Sequence, residues 1–206
     1  NPLLDSVYVT DNFYKENEDR MVFKTIYRLS NKELKKISKQ VNPLGMIALF
    51  NMPRPKKFIF KSKNVLILDN ISDPGNMGTI IRTADWFGFN HLFLSENCVE
   101  AYNSKVVAAS MGSVFNVSIN PEAKLKALIK DLKEEGYKIV VTDLMGDESN
   151  IDKKDKIALV IGNEAKGVDR KLISMADKRF KIMKSGKAES LNAAVAAGIV
   201  MNKIKF

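Results

Sequence analysis

The sequence predicts an α/β chain in which a mostly parallel sheet is covered by helices on both faces, and three observations lead there. After about residue 64, apolar runs of strand length alternate with amphipathic stretches of helix length. Two of those helical stretches run into a glycine, Gly88 and Gly136, the residue type that most readily ends a helix. No internal repeat or low-complexity tract competes with this reading.

Taken in order, Ser6 to Thr10 reads as a strand, and Phe23 to Leu29 as a mixed apolar stretch. Next, "SNKELKKISKQV" carries a capping box, Ser30 with Glu33, and sets Leu34, Ile37 and Val41 on one helical face opposite Lys32, Lys35, Lys36 and Lys39. "GMIALF" (Gly45 to Phe50) is a further strand, so residues 1–52 read as a small, partial α/β domain. The chain starts at Asn1 without an initiator Met and reads as a fragment or as missing its first elements. Residues 53–63 read as a linker, with Arg54, Lys56, Lys57, Lys61 and Lys63 crowded around Pro53 and Pro55.

From residue 64 to 206 the larger domain follows. Its expected elements are "VLIL", a helix from Met77 to Phe87, "HLFL", a helix near Asn103 to Ser110, "VFNVSI", and a helix from Pro121 to Glu135. Then come "YKIVVT", "IALVIG", a helix after Gly167, "RFKIM" and a final helix from Leu191.

Composition bounds the function. The 206 residues carry 33 Lys and Arg against 24 Asp and Glu, a net charge of +9, which favours polyanionic partners such as nucleic acid. The same basic helical face also reads as an ordinary solvated surface, and both readings stand. One cysteine, Cys98, and one histidine, His91, exclude an internal disulfide and a Cys/His metal cluster. No apolar run approaches the ~18 residues that cross a bilayer, and the N-terminus lacks a secretory pattern. A soluble, cytoplasmic protein is expected.

Three stretches carry the chemistry. In "DNISDPGNMGTIIRTADWFGF", Pro74 and Gly75 turn the chain, Asn76 reads as an N-cap, and Met77, Ile80, Ile81, Ala84 and Phe87 form the buried stripe. Gly78, Arg82 and Asp85 then share the opposite face, where an anion could approach the helix start beside the Arg82 guanidinium. The plainer reading pairs Arg82 with Asp85 at i,i+3. Neither the dinucleotide fingerprint nor the P-loop is present. "LVIGNEAKGVDR" and "IMKSGKAESLNAAVAAGIVM" follow later strands, where open α/β sheets bind ligands. There Glu164 and Ser190 read either as functional groups or as helix caps.

Together these residues carry a resemblance. Asn76-x-Gly78-x-x-x-Arg82, "IGNEAKGV" and "SLNAAVAAGI" are similar, in order, to the three motifs of the SpoU (TrmH) class of RNA ribose 2′-O-methyltransferases of the SPOUT superfamily, over about residues 65–206. The N-terminal part, with "PLGMIALF", resembles the end of the substrate-binding domain of many members. The resemblance implies a C-terminal trefoil knot that cradles S-adenosylmethionine, and a homodimer paired through the knot region. It implies cofactor contacts at Gly162, Ile182 and Leu191, largely through backbone, and a catalytic set of Asn76, Arg82, Glu164, Ser190 and Asn192. RNA would be held by Arg82 and by Lys56 and Lys57 of the linker; no metal and no membrane enter.

The chain departs from the pattern at Met183-Lys184, where relatives usually continue Ile-Pro-Met, and at Ala165-Lys166. Methyl transfer to a ribose hydroxyl needs in-line placement and removal of a proton. Arg82 is expected to act as the base with an RNA phosphate, or to orient that phosphate and stabilise the developing alkoxide. The main alternative is a non-catalytic RNA-binding protein of the same fold. A doubly wound small-nucleotide enzyme is disfavoured by the missing phosphate fingerprints.

Overall fold

The computed structural model describes residues 3–53, 58–60, 62–147, 151–152 and 154–205. It divides into two compact units, residues 1–54 and 55–206. In the first, strands β1 (Leu4–Thr10), β2 (Ile26–Leu29) and β3 (Met46–Phe50) form a sheet of order β2-β1-β3. Helix α1 (Asp11–Glu16) is capped by Thr10, and α2 (Asn31–Ile37) by the expected capping box, with Ser30 and Glu33 exchanging hydrogen bonds. The expected stripe on α2 is not there: only Leu34 is buried, while the helix ends at Ile37 and Val41 is exposed beyond it.

The second unit holds six strands, all parallel, in the order β6-β5-β4-β8-β7-β9. They are β4 (Asn64–Asp69), β5 (His91–Leu94), β6 (Ser118–Asn120), β7 (Tyr137–Asp147), β8 (Lys156–Gly162) and β9 (Lys178–Phe180). β4 is buried along its whole length because both sheet faces are covered. Leu66 and Leu68 pack with α3 (Pro74–Phe87), α4 (Ser104–Ser110) and α7 (Ala193–Lys205). Val65 and Ile67 pack on the other face with α5 (Leu125–Glu134) and α6 (Arg170–Ile173).

Several boundaries shift for local reasons. "VFNVSI" is not one strand: Ser113–Phe115 form a 3-10 turn and only Ser118–Asn120 pair with β5. α5 starts at Leu125 rather than Pro121, because Glu122 sits at φ 52 in the left-handed region. β9 stops at Phe180, which leaves Ile182 and Met183 in irregular chain. α7 starts two residues late, and Asn192 is its cap, its Oδ1 accepting the N–H groups of Ala194 (2.9 Å) and Val195 (3.3 Å).

Two features position the site. β4 leads through α3 to β5 on one side, whereas β8 lies on its other side and leads through α6 to β9 beyond β7, so the sheet reverses direction between β4 and β8. Ligands of open α/β sheets bind outside the carboxyl ends of the strands at such a switch. Asp69 and Gly162 end these two strands in register, at one level. α7 also runs beside α3 in the same direction: Asn192 bonds Asn76, and a Cβ on Gly198 would lie 3.6 Å from Thr83.

Candidate active site

The α3 start is built differently from the sequence expectation. Asp73, not Asn76, is the N-cap, its Oδ1 accepting the Asn76 N–H at 2.7 Å, with Pro74 just inside the helix where its missing donor costs nothing. Asn76 is thereby freed for another task. Its Nδ2 donates to Glu164 Oε1, and its Oδ1 accepts from Asn192 Nδ2 at 2.8 Å. Both ends of the Asn76 amide are engaged, which fixes its orientation. Three motifs far apart in sequence meet in this chain of bonds.

Glu164 is not a helix cap, since Asp169 performs that role for α6. Ser190 is no cap either; it is exposed and its hydroxyl has no hydrogen-bond partner among the described residues. Gly78 does not open a face to ligand. It is buried, and a Cβ there would stand 2.5 Å from the Ala109 Cβ and 2.6 Å from the Val106 carbonyl oxygen, so its missing side chain lets α4 close on α3. The expected ion pair of Arg82 with Asp85 is not formed: Asp85 accepts from Asn116 Nδ2 at 2.9 Å. Arg82 is exposed and makes no ion pair among the described residues.

A cavity of about 660 Å³ opens beside this trio at the carboxyl ends of β7, β8 and β9. Its lining includes Gly162, Ile182 and Leu191, and also Glu164 and Ser190. Asn76, Arg82 and Asn192 do not line it. By helix geometry Arg82, six residues beyond Asn76, lies about 9 Å further along α3 and about 120° around it. Lys56 and Lys57 lie outside the described residues.

One cavity wall comes from a strand irregularity that the motifs do not include. Thr142 and Asp147 both stand opposite Phe180, so residues 143–146 bulge out of the β7–β9 ladder and bring Leu144 and Met145 to the cavity. Arg179 holds the bulge by binding Asp143 Oδ2 through Nε (2.8 Å) and a terminal nitrogen (2.7 Å). Gly146 lies where a Cβ would meet the Arg179 carbonyl oxygen at 2.3 Å. The signal was available in the sequence: "TDLMG" ends a strand of the same sheet and closes on a glycine.

The departures noted above fall on the same wall. Met183 and Lys184 line the cavity, and the Lys184 ammonium donates to the Ala188 carbonyl at 3.2 Å, closing the loop between them. At Gly162 a Cβ would collide with the backbone of Gly167 and Val168 at 2.4 Å. That glycine serves the closure of its own loop.

A parallel α/β sheet, a cavity outside the carboxyl ends of β7, β8 and β9, and an amide–carboxylate trio beside it make a site assembled from strand-end loops. Residues 63–202 match the SpoU rRNA Methylase family, and the chain belongs to it. It is 33% identical over 181 residues, 87% of this chain and 72% of the relative, to the 23S rRNA (guanosine(2553)-2'-O)-methyltransferase RlmP of Bacillus subtilis. Among solved structures, the AdoMet-bound rRNA methyltransferase of Sinorhizobium meliloti is 28% identical, with a TM-score of 0.82, covering 98% of this chain and 79% of that one. The SpoU methyltransferase AviRb of Streptomyces viridochromogenes, solved in complex with AdoMet, shares the fold at 22% identity, with a TM-score of 0.82 and coverage of 98% and 80%.

Proposed function

We propose that this protein transfers a methyl group from S-adenosylmethionine to a ribose 2′-hydroxyl of ribosomal or transfer RNA. The observation that carries the reading is the bonded trio of Asn76, Glu164 and Asn192 at the edge of a cavity of cofactor size. The residues present fit the cofactor. The cavity offers apolar walls at Leu144, Met145, Ile182 and Leu191 for a purine, strand-end backbone for its polar edges, and the Glu164 carboxylate for a sulfonium charge. Bound S-adenosylmethionine would supply an electrophilic methyl group; the chain's own residues position the acceptor and handle its proton.

Glu164 keeps one carboxylate oxygen, Oε2, without a hydrogen-bond partner among the described residues, and Asn76 keeps one amide hydrogen. Both are available to hold a ribose. Ser190 lines the same cavity, its hydroxyl without a hydrogen-bond partner among the described residues. Arg82, outside the trio, binds the neighbouring phosphate and either takes the hydroxyl proton with the help of that phosphate or stabilises the alkoxide as it forms. The linker lysines Lys56 and Lys57 add phosphate contacts of the kind that make binding salt-dependent.

Two structural readings accompany this function. The chain from β9 to α7 forms a trefoil knot around the cavity, supported by its return from the sheet edge at β9 to the side of α3. Two copies pair over the face that exposes Trp86 on α3 with Val195 and Ile199 on α7, since the three large apolar side chains are 84%, 51% and 43% exposed. Light scattering at micromolar protein tests the pairing, and a monomer mass refutes it.

Incubation with labelled cofactor and total RNA from a strain lacking the protein tests the function, with ribose methylation mapped in the product. Calorimetry with S-adenosylmethionine separates it from the RNA-binding alternative: no binding at millimolar cofactor would favour that alternative.

A further inference from the structure

Two polar side chains outside the catalytic set, Asp69 and Asn163, cross-link the loops that leave β4 and β8. The β4–β8 ladder ends at the pair Asp69 and Gly162, and the chains then diverge, Asn70 turning through φ 59. Side-chain bonds take over where the ladder stops. Asp69 Oδ2 accepts the Asp169 N–H at 2.9 Å, and its Oδ1 accepts from Asn70 Nδ2 at 2.8 Å. In return Asn163 Nδ2 donates to the Asn70 carbonyl at 3.1 Å. Asn163 Oδ1 meanwhile accepts the N–H groups of Ala165 (2.9 Å) and Lys166 (3.1 Å).

The loop from 163 to 169 is thus tied to the exit of β4 at both ends. Its middle is drawn together by the bridge of Asn163 to Gly167 and by the close approach of Gly162 to the Gly167–Val168 backbone. Glu164 is the residue next to one of these ties. Asp69 is 3% exposed and does not line the cavity; Asn163 does line it, but its amide nitrogen and oxygen are already bonded to the Asn70 carbonyl and to the N–H groups of Ala165 and Lys166. A buried carboxylate costs free energy unless its acceptors are filled, and here both oxygens are filled by the loops it joins. Burial pushes the Asp69 carboxyl above its ordinary range, and the donated Asp169 N–H opposes that.

We propose that Asp69 and Asn163 are positioning residues that fix the Glu164 carboxylate against Asn76, and through it the bond to Asn192, without touching substrate through their own engaged groups. This rests on the methyl-transfer reading above. It deepens that reading because a displacement of about 1 Å at a reacting group is enough for a large loss of rate.

The test is Asn163→Asp, which keeps the side-chain shape and the acceptor for Ala165 and Lys166 but turns the donor toward the Asn70 carbonyl into an oxygen. Asp69→Asn is its counterpart on the other strand. Single-turnover transfer at saturating cofactor and RNA is expected to fall about tenfold or more, with cofactor affinity within about threefold of wild type. In a Glu164→Gln background the same Asn163 substitution is expected to cost less than about twofold, because the clamp acts through Glu164.

An undiminished rate in Asn163→Asp, or equal losses in both backgrounds, overturns the proposal. If Asp69→Asn does not fold, Asn163→Asp and Asn163→Ser carry the test. A wild-type protein that transfers nothing refutes the functional reading instead. The clamp is then read by NMR: the Asn76 side-chain amide resonances shift in Asn163→Asp if the trio is held by it, and unchanged resonances overturn it.

Discussion

Replacing Arg82 with alanine separates fold from chemistry more cleanly than any other change in the site. Arg82 is exposed, makes no ion pair among the described residues, and its neighbour Asp85 is already engaged by Asn116. The stability cost is therefore expected within about 0.5 kcal/mol, and alanine is at least as good a helix former as arginine. Cofactor affinity should also hold, because Arg82 does not line the cavity. Transfer, in contrast, is expected to fall at least ~100-fold, a loss of about 2.7 kcal/mol in transition-state stabilisation. Arg82→Lys should recover little, since an ammonium does not reproduce the planar guanidinium fork. Single-turnover transfer of labelled methyl, thermal unfolding and cofactor calorimetry on the same preparations give the answer. Wild-type transfer by Arg82→Ala would remove Arg82 from the mechanism, and a large drop in melting temperature would show that its role is structural.

Asn192 both caps α7 and bonds Asn76, and two substitutions divide these roles. Asn192→Asp keeps the cap but not the donated amide, so it should retain stability and lose transfer, whereas Asn192→Ala should lose about 1 kcal/mol in denaturant unfolding as well. Gly78→Ala should destabilise by about 1–3 kcal/mol, because the added methyl meets Ala109 and the Val106 carbonyl; urea unfolding checks it. Asp177 accepts the N–H of buried Ile139 at 2.8 Å and the Lys133 ammonium at 2.8 Å. Partial burial pushes its carboxyl up, but these hydrogen bonds and the Lys133 charge together hold it below the ordinary value. Its contribution is present above the unfolded carboxyl pKa of about 3.9 and is lost as pH falls through the lowered folded value. Asp177→Ala should therefore cost about 1–3 kcal/mol at neutral pH and progressively less in acid, read from unfolding curves at several pH values.

The order of strands and helices was legible because each element declares its period locally. The apolar run of β4, the stripe of Met77, Ile80, Ile81 and Ala84 on α3, and the left-handed Gly88 that ends it all stand as the sequence reads. Failures came where a second element decides. A period of 3.6 sets Gly78 away from the buried stripe of α3, yet α4 packs on that side too, and no pattern within α3 announces it. Ile37 and Val41 continue a helical stripe on paper, but α2 has turned out of the helix by Ser38, and both side chains are exposed. The sequence does carry the true cap: Asp73 followed by Pro74 is a stronger helix start than an asparagine two residues beyond that proline.

The sequence motifs name the three residues that the structure bonds together, Asn76, Glu164 and Asn192, but not what each side chain does locally. Motif order links Asn76, Glu164 and Asn192, but an asparagine near a helix start reads as a cap until the true cap is known. The roles then prove to be exchanged: Asp73 caps α3, Asn192 caps α7, and Asn76 spends its side chain on neither helix. What brings the three within hydrogen-bond reach is the register of β4 on β8, which sets the exits at Asp69 and Gly162 level, and the parallel course of α3 and α7. A slip of one residue between β4 and β8 would move the Glu164 loop by about 3.3 Å and place the next side chain on the other sheet face. Glu164 would then miss Asn76 altogether. The geometry of the trio is in this sense a property of strand pairing, fixed by apolar residues that never approach the cavity: Leu66 and Leu68 on one face, Val65 and Ile67 on the other.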